Sequence, residues 1–190
     1  MREQLKAIGC TLVHERIAIK RTIFKYPDST RRGYARVRQD QDGVSMTIKT
    51  FDDPDYPEET EISIKSTYEG GIAFMKALGV EIKAVQESFR EKWTHPLAHE
   101  ITFDTIPGIP TYMEIDCNTE ANMNILIDLL QVDRKNIRTG AYDKTYNEYY
   151  GIPLEVINDH TPRLTFGNII NEITPTKNRD TLYTIHKSYG

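Results

Sequence analysis

The chain has 190 residues, of which 38% are hydrophobic and 27% charged, and its formal net charge at pH 7 is −4. This balance is typical of a globular protein that buries its own core, and it disfavours a general nucleic-acid-binding surface, which is usually basic. Cys10 and Cys117 form no disulfide or metal-binding pattern, and no apolar stretch approaches the ~20 residues of a membrane span. We therefore expect a cytoplasmic protein with no membrane or nucleic-acid partner.

Hydrophobic periodicity and turn residues predict a strand-rich chain with a few helices. In chain order we predict a helix at 2–9, a strand at 11–27, a hairpin at 34–51, an acidic loop at 52–59, a strand at 59–66, a helix at 68–80, a strand at 84–95, two strands at 100–108 and 111–117, and a helix at 120–132. In the last helix, Ile125, Leu129 and Val132 form the expected apolar stripe.

Two regions of different composition suggest the domain organisation. Residues 1–132 predict an α+β domain: an antiparallel, closed or nearly closed β-barrel with helices packed outside. Residues 133–190 are polar and tyrosine-rich, and we interpret them as an appendage that packs on the barrel. The tyrosines of this tail could line a pocket for a base or hold the tail to the barrel, and we favour the second role.

Like charges recur at two-residue spacing along the middle strands, where alternate side chains share a face. The basic positions are Arg36, Arg38, Lys49, Arg90 and Lys92, and the acidic positions are Glu59, Glu61, Asp104, Glu114 and Asp116. A solvated face is the ordinary explanation for any one pair. The repeated segregation of charge sign between strands favours a face that binds a charged ligand, because like charges at this spacing repel each other.

This combination of side chains suits a phosphate ligand accompanied by a divalent cation. Arginine donates paired hydrogen bonds to phosphate oxygens, and lysine supplies a mobile point charge. Paired carboxylates bind Mg²⁺ or Mn²⁺ through oxygen. A barrel with a polar interior would turn the charged faces of its strands toward one another.

The order of these motifs resembles that of a known family. The chain carries RVR at 36–38, TIK at 47–49, ETE at 59–61, FREKW at 89–93, ITFD at 101–104 and EID at 114–116. This series is similar to that of the CYTH superfamily, or triphosphate tunnel metalloenzymes, which includes class IV adenylyl cyclases, thiamine triphosphatases and inorganic triphosphatases. The resemblance covers roughly residues 1–132, and the tail resembles the C-terminal extension of a bacterial branch of the superfamily.

The resemblance implies a tunnel of about eight antiparallel strands with charged inner walls. It also implies roles for the charged residues. Phosphate binding would fall to Arg36, Arg38, Lys49, Arg90 and Lys92, the binding of Mg²⁺ or Mn²⁺ to Glu59, Glu61, Asp104, Glu114 and Asp116, and catalysis to Glu114, Asp116 and Lys49.

Two features depart from the family pattern. The first-strand motif ExExK is missing, since Glu15 and Lys20 stand at the wrong spacing. Either Met1 is an internal methionine of a longer protein, or the barrel has a gap with an exposed edge. In addition, Ser88 stands where relatives often carry a lysine, two residues before Arg90.

Three functions follow from the resemblance, and the sequence leaves them open. The first is a metal-dependent enzyme of the class IV adenylyl cyclase type that acts on ATP or a similar small-molecule triphosphate. The second is a hydrolase of inorganic or thiamine triphosphate. The third is a module that binds a nucleotide or polyphosphate without turning it over, which the missing ExExK favours. A homodimer is compatible with the sequence.

Overall fold

The computed structural model describes residues 1–52, 58–139 and 142–189, which form a twisted sheet flanked by helices. The strands are β1 (Thr11–Lys25), β2 (Gly33–Asp40), β3 (Gly43–Thr50), β4 (Glu58–Ile64), β5 (Ile82–His95), β6 (Ala98–Thr105), β7 (Tyr112–Asp116) and β8 (Arg163–Leu164). The helices are α1 (Arg2–Ala7), α2 (Tyr68–Ala77), α3 (Glu120–Leu129), α4 (Tyr142–Tyr150), α5 (Leu154–Asp159), α6 (Ile169–Glu172) and α7 (Arg179–Lys187), with a 3-10 turn at Arg134–Asn136.

The α+β class is confirmed, and each strand and helix predicted for the first 132 residues is present. Part of the predicted acidic loop, residues 53–57, lies outside the described residues. No helix in the described ranges is long and apolar enough to cross a membrane.

The strands pair in the order β4-β3-β2-β1-β5-β6-β7, and all of these pairs are antiparallel. The short strand β8 runs parallel to β5 and pairs with it at Val85 and Gln86. A closed barrel would require β4 to pair with β7, and no ladder joins these two strands within the described part of the chain. Of the predicted closed or nearly closed barrel, the closed form is therefore wrong, and the sheet is open between β4 and β7.

The long strand β1 connects the two halves of the sheet. Its C-terminal part, residues 20–25, pairs with β2, and most of its length pairs with β5. Side chains near the middle of β1 can therefore lie close to residues of both neighbouring strands.

One side of the sheet is apolar and covered by helices. Helix α2 packs there through Met75, against Phe24 and Val37. Helices α1 and α3 cover the other end, where Leu5 and Leu126 pack with Trp93, Ile101 and Phe103. Because this side forms the core, the charged residues between the apolar positions must face the other way.

Helix α3 is present, but its apolar stripe is not the predicted one. Ile125 and Leu129 are 46% and 49% exposed, whereas Leu126 and Leu130 are fully buried. Two apolar stripes, one residue apart, run along this helix, and each has helical periodicity. Packing against the sheet, which periodicity does not report, selects the second.

The tail after residue 132 folds onto the loop between β6 and β7. Tyr146 and Tyr150 are fully buried and donate hydrogen bonds to the carbonyls of Pro107 and Gly108. They pack with Ile109 and with apolar residues of the later helices. These two tyrosines hold the tail in place. The domain division at residue 132 stays a prediction.

Candidate functional site

The strand register places all ten predicted site residues on one side of the sheet, the polar face. In an antiparallel pair, residues directly opposite each other point to the same side, and alternate residues along a strand share it. The opposed residues are Arg36–Thr47–Glu61 and Lys49–Glu59 across β2, β3 and β4, and Arg90–Asp104, Lys92–Thr102–Glu114 and Glu100–Asp116 across β5, β6 and β7. The polar face is therefore a continuous surface built by six strands and the central β1.

In the half of this face formed by β2, β3 and β4, acids and bases pair across strands. Nη2 of Arg36 lies 3.0 Å from Oε2 of Glu61 and 3.6 Å from Oε1 of Glu59. Arg38 contacts the other oxygen of Glu61 at 3.3 Å, and Lys49 lies 3.0 Å from Glu59. We call this the β2–β4 half.

A buried hydroxyl connects the pairs of the β2–β4 half. Thr47 is 1% exposed, donates a 2.7 Å hydrogen bond to Glu61 and accepts one of 3.0 Å from Arg36. Burial by itself would raise the pKa of Glu61. The bonds from Thr47 and the two arginines outweigh that effect, and the pKa lies below its ordinary value.

The half formed by β5, β6 and β7, the β5–β7 half, is organised around a single arginine. Arg90 donates two hydrogen bonds of 2.7 Å to the two oxygens of Asp104, in a bidentate pair. The same guanidinium lies 3.3 Å from Glu100 and 3.5 Å from Glu114. Lys92 binds the second oxygen of Glu100 at 2.8 Å. Three carboxylates thus share one guanidinium.

Carboxylates crowd each other in the β5–β7 half. Burial and the neighbouring Asp104 raise the pKa of Glu114 above its ordinary value, although Arg90 acts against them. Burial would lower the pKa of Arg90, but the hydrogen bond to Asp104 and the surrounding carboxylates raise it. This half therefore has an excess of negative charge that a cation would offset.

The remaining members of the predicted set lie at the margins of these pairs. Asp116 is exposed at the end of β7, opposite Glu100, and makes no ion pair within the described residues. Glu100 was not predicted as a site residue. It could have been found from its spacing, because it lies four residues before Asp104 in β6 and therefore shares its face. The roles assigned to all of these residues stay predictions.

A second residue that sequence reasoning missed lies at the centre of the polar face. Arg21 of β1 stands opposite both Arg38 and Gln86, and its Nη1 donates a 2.7 Å hydrogen bond to Oγ of Ser88. The feature of the sequence that could have pointed to Arg21 is Ser88. In the CYTH superfamily, which the chain resembles, this position often carries a lysine. A guanidinium from the neighbouring strand reaches that position instead.

Two polar atoms on the face have no hydrogen-bond partner. Nε of Arg36 and Oγ of Ser45 are both buried, and neither finds a partner within the part of the chain that the structure describes. Buried polar groups are almost always satisfied, so unpaired ones point to a missing ligand or water. Both lie in the β2–β4 half, beside two of the arginines.

The carboxylates do not form a preassembled metal cage. Among the described residues there is no group of three or more His, Cys, Asp or Glu placed to hold a metal ion. The pair Asp104 and Glu114 still suits a cation, because Mg²⁺ commonly takes one or two protein carboxylates and completes its shell with water and phosphate oxygens. The oxygens of Glu59 and Glu61 are bound by Lys49 and the arginines, and both oxygens of Asp104 are bound by Arg90, so in either half a cation would displace part of these contacts.

Two clefts lined by described residues lie away from this site. One, of about 300 Å³, is lined by Arg2, Arg16, Glu91 and Phe103 near the C-terminal residues. Arg2 of this cleft is paired with Glu91, and the guanidinium of Arg16 lies over the ring of Phe89. The polar face is thus a charged surface of the open sheet and differs from these clefts.

Fold and site together define an α+β protein with an open, mainly antiparallel sheet, one side of which carries interleaved arginines, lysines and carboxylates. No family model and no curated protein matches the chain. Solved structures share its fold. It is similar to PH1012 from Pyrococcus horikoshii OT3, with a TM-score of 0.58 and 16% identity over 74% of this chain and 88% of the other.

Two further solved structures show the same likeness. PH1819 from Pyrococcus horikoshii OT3 has a TM-score of 0.55 and 16% identity over 77% of this chain and 92% of its own. A protein from Vibrio parahaemolyticus described as a "putative adenylate cyclase" has a TM-score of 0.57 and 15% identity over 75% of this chain and 87% of its own. At these identities the likeness shows a common fold.

Proposed function

We propose that the polar face binds a small-molecule triphosphate together with a divalent metal ion, and that the protein carries out phosphoanhydride chemistry of the class IV adenylyl cyclase type. In that reaction the ribose 3′-oxygen of ATP attacks the α-phosphorus and pyrophosphate leaves. The distant structural likeness to the Vibrio parahaemolyticus protein and the motif series of the CYTH superfamily support this choice.

One observation carries the phosphate part of the proposal. The β2–β4 half presents three basic side chains, and one of them, Arg36, has a buried Nε without a partner in the described structure. Oγ of Ser45, on the same face, is also buried and without a partner there. A phosphate oxygen would accept a hydrogen bond from each. Arg38 and Lys49 would add charge from the same side, because they share this face.

The metal part of the proposal rests on Asp104 and Glu114. These carboxylates from adjacent strands repel each other, and the pKa of Glu114 is raised as a result of its burial and this neighbour. A divalent ion held by them would offset the charge of phosphate oxygens during cleavage. Arg90 would be freed from part of its carboxylate contacts and could turn toward the phosphate.

A second candidate function has its own supporting observation. Each of the glutamates Glu59 and Glu61 is held by basic side chains, and the described residues form no metal cluster of three or more ligands. Carboxylates that are already neutralised by basic side chains favour a module that binds a nucleotide or polyphosphate and does not turn it over. Hydrolysis of inorganic or thiamine triphosphate is the third function that the same set of residues could support.

A substrate panel separates these functions. The protein is incubated with ATP, tripolyphosphate and thiamine triphosphate, each with Mg²⁺ or Mn²⁺, and the products are resolved by chromatography. Cyclic AMP and pyrophosphate would support the cyclase, and release of orthophosphate would support a triphosphatase. Binding of all three without any product would support the non-catalytic module, and the absence of binding would contradict the proposal.

A variant tests whether any activity belongs to this face. Glu114→Gln should lower activity more at limiting than at saturating metal, because it removes one of the two proposed ligands. Asp128→Asn is the matched control, because Asp128 lies in helix α3 on the other side of the sheet and pairs there with Arg134. An equal loss at all metal concentrations would argue against a ligand role for Glu114.

A further inference from the structure

Arg21 differs from the other arginines of the polar face in its partners. Arg36, Arg38 and Arg90 each form ion pairs with carboxylates. Within residues 1–52, 58–139 and 142–189, no carboxylate forms an ion pair with Arg21, and its guanidinium donates a hydrogen bond to the neutral hydroxyl of Ser88.

The surroundings of Arg21 are electrostatically unfavourable to its charge. Burial, followed by the neighbouring Arg36, Arg90 and Arg38, lowers the pKa of Arg21 to about 10, and Asp104 offsets this only in part. Arginine is seldom removed from water without a counter-charge, since its desolvation is costly. An anion near the guanidinium would relieve both the desolvation and the repulsion.

The position of Arg21 fits an anion that reaches both halves of the face. Arg38 of β2 lies opposite Arg21 on one side of β1. On the other side, the Arg21 side chain extends toward Ser88 of β5, and Ser88 stands two residues before Arg90. The axes of β2 and β5 are separated by two strand spacings, roughly 10 Å. A chain of condensed phosphates can span such a distance, whereas a single phosphate group contacts only one side.

We propose that Arg21 is a ligand-binding residue that holds the middle of a phosphate chain, between the cations of the β2–β4 half and Arg90 of the β5–β7 half. The guanidinium has five N–H donors, and one bond to Ser88 leaves the others for phosphate oxygens. The inference rests on the proposed function, since it takes the ligand to be a condensed phosphate. It adds a residue to the site and a preference for chains over orthophosphate.

The test uses isothermal titration calorimetry with tripolyphosphate and orthophosphate on the whole 190-residue chain. Arg21→Ala should lower the affinity for tripolyphosphate by about 10- to 100-fold, the effect of losing charge-assisted hydrogen bonds. The matched control is Lys20→Ala. Lys20 is exposed on the opposite face of the same strand, so its loss changes the net charge equally and should alter the affinity by less than about threefold.

The outcomes distinguish this inference from the proposed function. Loss of binding in Arg36→Ala with unchanged affinity in Arg21→Ala would overturn the inference and leave the proposed function standing. Wild-type protein that fails to bind tripolyphosphate would overturn both. Equal affinity of the wild type for orthophosphate and tripolyphosphate would overturn the spanning role of Arg21.

A purely structural role for Arg21 predicts a different result in thermal denaturation. Without ligand, Arg21→Gln should melt at the same temperature as the wild type or higher, because it removes a repelled charge. With tripolyphosphate, the rise in melting temperature should be smaller than in the wild type. A lower melting temperature without ligand combined with an unchanged ligand-induced rise would overturn the inference. Should Arg21→Ala fail to fold, Arg21→Lys keeps the charge, and its affinity should lie between those of the wild type and Arg21→Gln.

Discussion

The two halves of the polar face use similar residues with different balance. In the β2–β4 half, three basic side chains face three acidic ones, namely Arg36, Arg38 and Lys49 against Asp40, Glu59 and Glu61. In the β5–β7 half, two basic side chains face four acidic ones, namely Arg90 and Lys92 against Glu100, Asp104, Glu114 and Asp116. The unsatisfied donors lie in the first half and the crowded carboxylates in the second.

This difference assigns different ligands to the two halves. Unpaired donors beside arginines suit an anion, and carboxylates that share one guanidinium suit a cation. Arg21 lies between them on β1, close enough to both halves for Arg36, Arg90 and Asp104 to influence its pKa. A phosphate chain with its metal ion carries both charges, so one ligand could satisfy both halves.

The largest expected effect comes from removing the shared guanidinium of the β5–β7 half. Arg90→Ala leaves Asp104, which is nearly buried, without its bidentate partner, and leaves Glu100 and Glu114 repelling it. We expect a loss of about 3 kcal/mol in the free energy of unfolding, typical of a broken buried pair. Urea denaturation at neutral pH without metal measures it.

The control for this prediction is Lys92→Ala in the same half. Among the residues that the structure describes, Lys92 pairs with Glu100 alone, and both side chains are partly exposed, so its removal should cost less than about 1 kcal/mol. Addition of Mg²⁺ should restore part of the stability of Arg90→Ala. Equal losses in the two variants would show that the carboxylates do not depend on Arg90.

The next effect concerns ligand affinity in the β2–β4 half. Arg36→Ala should weaken the binding of a non-hydrolysable ATP analogue by roughly 1.5–3 kcal/mol, the scale of a hydrogen bond to a charged group. Isothermal titration measures the change. Arg31→Ala is the matched control, because Arg31 pairs with Asp52 in an exposed turn. Unchanged affinity in Arg36→Ala would remove the anion-binding role from this half.

Strand alternation could predict the face of each residue but not its partner. Arg36 and Arg38, or Glu59 and Glu61, are two apart and share a side by strand geometry alone. That Glu61 reaches both arginines depends on the register between β3 and β4, which positions Thr47 opposite Glu61. From the sequence we expected a ligand to neutralise the paired like charges. Cross-strand ion pairs within the protein already neutralise many of them.

Arg21 and the open sheet show why the remaining features could not be predicted. Arg21 lies in a strand rich in β-branched and apolar residues, and its importance arises from the neighbours β2 and β5, which are distant in sequence. Closure of a barrel depends on whether the two end strands meet, which depends on accumulated twist and stagger. The alternation of residues along each strand predicts six strands with a charged face. It does not predict that β4 and β7 remain unpaired.

The smallest effect compares two carboxylates through pH. The pKa of Glu61 is lowered in the folded protein, so its charge stabilises the fold above its ordinary pKa, and this contribution is lost as the pH falls through the lowered value. The pKa of Glu114 is raised, so its effect on stability is most favourable below its ordinary value of 4.5 and is lost as the pH rises through the raised value. Relative to the wild type, Glu61→Gln should therefore become less stable as the pH rises from the acid range to 4.5, and Glu114→Gln should become more stable as the pH rises above 4.5.

Chemical denaturation in the presence of EDTA measures both differences. Each should be below about 1 kcal/mol, because the two side chains are partly exposed and solvent screens their interactions. Comparing the change with pH, and not the stability at one pH, removes the effect of replacing an oxygen by an amide group. Parallel pH profiles for the two variants would mean that the halves of the face do not differ in charge balance, and the assignment of anion and cation to separate halves would then fail.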